Sequence, residues 1–192
     1  MSKRKLPLER ARAIARRYLG LLAPACRRIE IAGSIRRGKS VVGDIEMVAM
    51  PEMRAVRDLF GNVADEYSLL DEAIGEYLLQ DGARLLKNGA RYKQIALPEG
   101  VNLDLFIVLP PAQWGVIFTL RTGPGDFSRW VVTPRKQGGA LPSNCRVKNG
   151  AVWCGREMVA MPEEEDFLRF LGLSGLAPEA RKANIRWRVA NG

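Results

Sequence analysis

The sequence predicts an α+β fold, in which a mixed β-sheet backed by helices is followed by a smaller α/β domain. Apolar residues over 8–22 recur at three- and four-residue intervals, which predicts an amphipathic helix. Within 31–49 an apolar strand runs into Gly33-Ser34, a basic turn follows, and a second apolar strand carries two acids, while 101–108 is typical of a buried strand of the same sheet. Pro110-Pro111 then interrupts the chain, and a second set of helical and hairpin patterns follows.

The segments between the two apolar strands predict further elements of the first domain. Apolar residues at helical spacing predict helices over 53–60 and 69–79, which should cover the back of the sheet. Residues 84–97 predict two strands joined at Asn88-Gly89, because this dipeptide is favoured in tight hairpin turns.

The part of the chain after the prolines has its own signals. A helical segment begins at Gln113, and residues 145–153 predict a hairpin that turns at Asn149-Gly150. Acids cluster at the start of 163–172 and a glycine ends it, as the helix dipole and the C-cap favour. We therefore expect these acids to be structural.

Composition excludes several classes of protein. The 192 residues contain no histidine, so Ser-His-Asp hydrolysis and histidine-based zinc chemistry are excluded. No apolar run approaches the roughly eighteen residues of a membrane span, and no signal-peptide core follows the basic N-terminus. We expect an intracellular, cytoplasmic protein without a membrane partner.

The three cysteines, Cys26, Cys145 and Cys154, have no Cys-x-x-Cys spacing. Neither a disulfide framework nor a structural zinc site is predicted, and all three are interpreted as buried or incidental thiols.

Two acidic residues, Asp44 and Glu46, lie two positions apart in an apolar segment. Side chains of a strand alternate between its faces, so both carboxylates are expected on one face, opposite Ile45 and Met47. Neighbouring acids repel each other unless a cation lies between them, and carboxylate oxygens are ligands that Mg²⁺ accepts. The pattern indicates a magnesium site, and an edge strand with two solvated acids is the alternative.

The residues in front of these acids suit phosphate binding. Gly33 permits close approach of the backbone, and Ser34 is expected to cap a helix whose N-terminal amides bind phosphate. Arg36, Arg37 and Lys39 add positive charge beside them.

The order Gly-Ser, Arg-Arg-Gly-Lys and Gly-Asp-x-acid over 33–46 resembles the signature of the family X DNA polymerases, within the nucleotidyltransferase superfamily. The resemblance implies two Mg²⁺ ions, replaceable by Mn²⁺, that are bound by Asp44 and Glu46. It also implies triphosphate contacts from Gly33, Ser34, Arg37 and the backbone of Gly43. The family normally has Asp where this chain has Glu46, so altered metal spacing or preference is expected.

A third acid, Asp104, lies in the apolar segment 101–108. An unpaired charge in a dry sheet costs several kcal/mol, so Asp104 must be paired, exposed at a cleft or bound to metal. In the family the third metal carboxylate lies on such a strand, beside the Asp-x-acid strand. The resemblance therefore implies a catalytic Asp104, which holds magnesium and helps to take the proton from the attacking 3′-hydroxyl.

The resemblance resumes after Trp114-Gly115, where it implies contacts to the sugar and base of the incoming nucleotide. Leu120 and Arg121 stand where the family has an aromatic pair, and the Thr-Gly that follows in the family is kept as Thr122-Gly123. Ser128 stands where the family has Asn. The resemblance implies that all five residues bind the nucleotide. The family also has a cis bond after this glycine, so we expect one at Gly123-Pro124.

The net charge of +9 points to a polyanionic partner, because neutralising phosphates releases counterions. Between 128 and 156 six cations appear without an acid, interleaved with Trp130 and Trp153. The predicted DNA-binding residues are Lys39, Arg129, Arg135, Lys136, Arg146 and Lys148. The two tryptophans are interpreted as core residues.

These features predict a monomeric DNA polymerase that adds deoxynucleotides to a 3′-hydroxyl of gapped or primer-template DNA, in short-gap repair. The expected domains are a palm over 1–109 and a thumb-like domain over 110–192. We expect a minimal form, without the lyase, helix-hairpin-helix or phosphoesterase modules of larger members. A small-molecule nucleotidyltransferase, or a nucleic-acid-binding protein that has lost catalysis, are the alternatives.

Overall fold

The structure is a computed structural model that describes residues 5–182, and it has a mixed α+β composition. The chain divides into two compact units. Unit 1 contains the described residues up to Ile31 together with Ser40–Ile107. Unit 2 contains Ala32–Lys39 together with the described residues from Val108 onward. The assignment of a palm and a thumb-like domain to 1–109 and 110–192 stays a prediction.

The described chain forms helices, strands and short turns with the following bounds. The helices are α1 (Leu8–Leu22), α2 (Gly33–Arg36), α3 (Leu69–Ala73), which continues as a π-helix over Ile74–Leu79, α4 (Trp114–Thr122), α5 (Gly125–Val132) and α6 (Glu164–Leu171). The strands are β1 (Leu6–Pro7), β2 (Cys26–Ile31), β3 (Val41–Val42), β4 (Ile45–Pro51), β5 (Met53–Arg57), β6 (Val63–Ser68), β7 (Arg84–Gly89), β8 (Tyr92–Ala96), β9 (Asn102–Ile107), β10 (Cys145–Lys148), β11 (Ala151–Cys154) and β12 (Glu157–Val159). Short 3-10 turns occur at Ala23–Ala25, Arg135–Gln137 and Pro178–Ala180.

Unit 1 is built on a five-stranded sheet in the order β2-β4-β9-β8-β7. The central pair β4 and β9 is parallel and the other pairs are antiparallel, which confirms the predicted mixed sheet. Ile45, Met47, Leu103 and Leu105 fill one face and are fully buried. Lys93 on β8 points to the same side and pairs with Asp71 of α3, which places that helix on the back of the sheet.

The helix predicted over 53–60 is wrong, because β5 and β6 form an antiparallel hairpin there. The Asp58 carboxylate accepts hydrogen bonds from the backbone N–H groups of Phe60 and Asn62, and this local bonding closes a turn in place of a helix. Leu59 and Phe60 at the tip are 101% and 88% exposed, so the apolar spacing that predicted a helix does not correspond to a buried helix face. The second predicted helix, over 69–79, is confirmed as α3 and its π-helical continuation.

The two Asn-Gly dipeptides behave differently. Asn149 and Gly150 turn the β10–β11 hairpin with φ of 53° and 77°, as predicted for a tight primed turn. Asn88 and Gly89 instead pair with β8 as part of β7, and the chain turns one step later at 90–91. The register shift between Leu85 and Lys87 accompanies this displacement of the turn.

Unit 2 has a separate core beneath the antiparallel sheet β10-β11-β12. The core residues come from α4, α5, α6, the sheet and the loops between them: Val116, Phe127, Val131, Ala140, Leu141, Cys145, Val152, Met161, Phe167, Leu168, Leu171, Leu173 and Leu176. Trp130 packs against this cluster, as predicted. At Gly115 a Cβ would lie 2.1 Å from the carbonyl oxygen of Glu163, so α4 approaches the start of α6 too closely for any other residue.

The predicted helix at 163–172 is confirmed as α6. Glu163 and Asp166 form a capping box at its start, and Gly172 ends it with φ of 78°.

The interpretation of all cysteines as thiols is wrong for two of them, because Cys145 and Cys154 form a disulfide. The two residues are direct partners in the β10–β11 ladder, and only the hairpin register brings them together. Cys26 is a free thiol whose pKa is raised to about 12 by burial.

The cis bond expected at Gly123-Pro124 is also wrong. Within residues 5–182 the cis peptide bond is at Pro110-Pro111. Gly123 follows the end of α4 and Pro124 precedes α5, and both residues have extended backbone conformations.

Candidate functional site

Two of the three predicted metal-binding acids, Glu46 and Asp104, lie on the central strands of the sheet in unit 1. Glu46 on β4 and Asp104 on β9 are direct neighbours in the parallel ladder, so their side chains leave the same face. Asp44 precedes β4, which begins at Ile45, so strand alternation does not set its direction. Both Asp44 and Glu46 are half-buried.

Asp104 is the most enclosed of the three acids, at 9% exposure. Its Oδ1 accepts a hydrogen bond from Tyr92 Oη and another from Gln94 Nε2, each at 2.8 Å. The expectation that this buried acid needs a partner is therefore met by two neutral donors on β8. The sequence analysis did not identify Tyr92 or Gln94 as partners of Asp104. The available signal was their position two residues apart in the predicted strand that precedes β9.

The acids fit a hard divalent cation by donor chemistry, because carboxylate oxygens on adjacent strands are what Mg²⁺ and Mn²⁺ bind. Both hydrogen bonds to Asp104 end on Oδ1, which leaves Oδ2 for another ligand. Between residues 5 and 182, no three acidic or cysteine side chains are already gathered around one point. Binding of an ion by Asp44, Glu46 and Asp104 together stays a prediction.

Gly43, which the resemblance assigns to the triphosphate, precedes these acids. No atom of the described chain lies within 4 Å of the position that a Cβ would take there. Packing within the described protein therefore does not require a glycine at this position.

The predicted phosphate-binding residues 32–39 belong to unit 2 and are described there. Gly33 begins α2 with φ of 60°, a left-handed conformation that favours glycine. The expected cap by Ser34 is wrong, since Ala32 precedes the helix and Ser34 is its second residue. The Ser34 Oγ is buried and has no hydrogen-bond partner among the described residues.

The two arginines of this segment are held by unit 2. Arg36 forms an ion pair with Glu164, with N–O distances of 2.8 and 2.6 Å, and lies over the ring of Phe118. Arg37 Nη1 donates to the carbonyl oxygen of Thr122 at 2.5 Å. Arg36 is therefore structural, while the guanidinium of Arg37 is fixed beside the end of α4.

Glu164 joins Arg36 to a second, deeply buried arginine. Arg181 is 2% exposed and donates to Glu164 Oε1 at 2.8 Å. Burial alone would raise the pKa of Glu164, but the hydrogen bonds from Arg36 and Arg181 outweigh it and hold the pKa below its ordinary value. The acids at the start of α6 thus include a structural one, as expected.

The predicted nucleotide-binding residues of unit 2 surround the junction of α4 and α5. Thr122 is buried, and its Oγ1 accepts a hydrogen bond from Arg36. A Cβ at Gly123 would lie 2.3 Å from the ring of Phe127, so this glycine is needed for packing. Ser128 Oγ donates to the carbonyl oxygen of Leu120 at 2.6 Å, and its hydroxyl ties the two helices together.

The two residues that replace the family's aromatic pair differ in burial. Leu120 packs against the core of unit 2, whereas Arg121 is exposed. Their role toward the nucleotide sugar stays a prediction.

All six predicted DNA-binding cations are exposed at the surface. Five of the six are exposed without a hydrogen bond from their side-chain nitrogen to a described residue: Lys39, Arg129, Lys136, Arg146 and Lys148. Arg135 differs, because its guanidinium donates to the carbonyl oxygens of Ala140 and Leu171. Arg135 is thus partly engaged in holding its own loop.

Comparison with known proteins adds no family assignment: no protein-family model matches the chain, and no curated protein matches it. None of the helices between residues 5 and 182 is long and apolar enough to cross a membrane.

Proposed function

We propose that this protein is a metal-dependent nucleotidyltransferase that adds deoxynucleotides to a DNA 3′-hydroxyl with release of pyrophosphate. The observation that carries the proposal is the pairing of Glu46 and Asp104 on adjacent parallel strands, with Asp44 two residues before Glu46. Carboxylates side by side on one face of a sheet repel each other, and a divalent cation bound between them would relieve that repulsion.

Each residue has a defined role in this proposal. Asp44, Glu46 and Asp104 hold the metal, and Asp104 also accepts the proton of the attacking 3′-hydroxyl. The bound ions would supply positive charge to the reacting phosphate and its leaving group. Ser34 and Arg37 are assigned to the triphosphate on the family resemblance alone.

DNA is the proposed acceptor because the protein carries a net charge of +9 and exposes several lysines and arginines on unit 2. Filling of short gaps in repair is the use that the family resemblance favours. A small-molecule acceptor would not require these cations.

The test is primer extension on gapped and recessed DNA with Mg²⁺ or Mn²⁺. Asp104→Asn should abolish extension, a loss of at least about 10³-fold, while DNA affinity is retained. Asp65→Asn, on the exposed strand β6, is the matched control and should extend normally. Extension by Asp104→Asn at the wild-type rate would contradict the metal assignment.

The acceptor is tested separately. Transfer of labelled nucleotide to an aminoglycoside-type small molecule, but not to DNA, would favour the small-molecule alternative. DNA binding without metal-dependent incorporation on any substrate would favour the non-catalytic one.

A further inference from the structure

Strand β8 contributes two polar side chains to the face of the sheet that carries the acids. Gln94 is the direct ladder partner of Asp104, and Tyr92 is the partner of Phe106, two residues further along β9. Both side chains therefore lie on the face of Asp104, and both donate to the same oxygen, Oδ1.

The ring of Tyr92 is held on both sides. It stacks on Phe106 with a centroid separation of 5.1 Å and an angle of 27°, and Lys87 Nζ lies 5.5 Å from its centroid. These contacts restrict the ring, so the hydroxyl is directed at Asp104 by packing as well as by the hydrogen bond.

The two donors to Asp104 are neutral, so they orient its carboxylate without neutralising the negative charge. Within the described chain no Lys or Arg forms an ion pair with Asp104, and the buried Lys93 of the same strand faces away and pairs with Asp71. A lysine or arginine at this place would orient the carboxylate but cancel its charge. A phenol and an amide orient it and leave the charge to attract a cation.

We propose that Tyr92 and Gln94 are positioning residues that hold the Asp104 carboxylate by Oδ1 and present Oδ2 to a divalent cation. This inference rests on the proposed function, because it assigns the metal to the same three acids. Residues that hydrogen-bond a metal ligand commonly govern metal affinity by about 10- to 100-fold.

The test measures binding of Mn²⁺ alone to the full chain, from the electron paramagnetic resonance signal of the free ion. Tyr92→Phe and Gln94→Leu should each weaken Mn²⁺ binding by about 10-fold or more, and the double variant should weaken it further. Tyr67→Phe is the matched control, because its hydroxyl contacts Arg54 on an exposed hairpin and its removal should change nothing.

A charged donor provides a sharper comparison. Gln94→Lys keeps a hydrogen-bond donor opposite Asp104 but adds a positive charge. If the neutral character of the donors matters, Gln94→Lys should bind Mn²⁺ more weakly than Gln94→Leu. Equal or tighter binding by Gln94→Lys would contradict that part of the proposal.

Primer extension then separates positioning from general damage. Tyr92→Phe should lower kcat while the KM for the deoxynucleotide stays near the wild-type value. Wild-type Mn²⁺ binding by both Tyr92→Phe and Gln94→Leu, with loss in Asp104→Asn, would overturn the positioning role alone. Wild-type binding by Asp104→Asn would overturn the metal site of the proposed function itself.

Discussion

Glu164 connects distant parts of the chain within unit 2. Its two carboxylate oxygens accept hydrogen bonds from Nη1 and Nη2 of Arg36, in the segment 32–39. Oε1 also accepts a hydrogen bond from Arg181, near the end of the described residues. Arg181 is almost wholly enclosed, so its charge depends on this partner. Removing one member of a buried ion pair is costly because the remaining charge stays buried.

Glu164→Gln should therefore destabilise unit 2 strongly. The amide keeps the size of the side chain but leaves two arginines without this counter-charge, and we expect a loss of roughly 3 kcal/mol in the free energy of unfolding. Urea unfolding followed by tryptophan fluorescence measures it. Glu179→Gln, at an exposed site, is the control and should stay within about 0.5 kcal/mol of wild type.

The same carboxylate predicts a pH dependence. Because the pKa of Glu164 is lower in the folded than in the unfolded protein, its contribution is fully present above the ordinary value of 4.5. It is lost as the pH falls through the lower folded value. The stability difference between wild type and Glu164→Gln should be constant above the ordinary value of 4.5 and shrink in the acidic window below it, and a difference that stays constant through that window would contradict the ion-pair assignment.

Among elements, the β10–β11 hairpin of unit 2 is constrained at both of its ends. A primed turn closes one end of it, and the Cys145–Cys154 disulfide joins the other end. Cys145 and Val152 lie in the core, so the hairpin also carries part of the apolar packing. Local turn chemistry, the covalent bond and burial all select the same register.

Replacing both cysteines should measure the covalent part of this constraint. The bridge spans nine residues, and the chain-entropy model predicts a loss of roughly 2–3 kcal/mol for Cys145→Ala with Cys154→Ala. Unfolding of the wild type should depend on reducing agent, and that of the double variant should not. Cys26→Ala is the control, because it should keep the dependence on reducing agent.

Sequence patterns identified elements best where burial and local chemistry agree. α1, α6, β9 and the Asn149-Gly150 turn were predictable because apolar spacing, caps and turn residues coincide there. The hairpin β5–β6 was not, since its apolar residues face solvent and carry no information about a core. The disulfide depended on a strand register that cysteine spacing does not reveal.

The site shows the same division. The need of Asp104 for a partner followed from an acid in an apolar strand, but Tyr92 and Gln94 could be named only after β8 was known to pair with β9. Likewise Ser128 was predicted to face a nucleotide, whereas the packing of α4 against α5 directs its hydroxyl to a backbone carbonyl.

For the whole molecule, charge should dominate binding to DNA. A net charge of +9 with exposed cations predicts an affinity that falls steeply with salt. Replacing Arg129, Arg146 and Lys148 by Gln should reduce the slope of log affinity against log salt by roughly 2.7, because each phosphate that is no longer neutralised lowers it by about 0.9. Fluorescence anisotropy between low and physiological salt measures the slope, and an unchanged slope would show that DNA binds elsewhere.

The membership of Ala32–Lys39 in unit 2 has a practical consequence for dissecting the chain. A cut after Ile107 would not release two self-sufficient halves, because the first fragment would keep eight residues whose packing partners left with the second. Ile35 would lose its buried surroundings, and Arg36 would lose Glu164. The second fragment would keep Glu164 but lose its ion pair with Arg36. The second fragment is therefore not expected to fold unless residues 32–39 are supplied to it as a separate peptide, whereas the first fragment keeps every segment of unit 1.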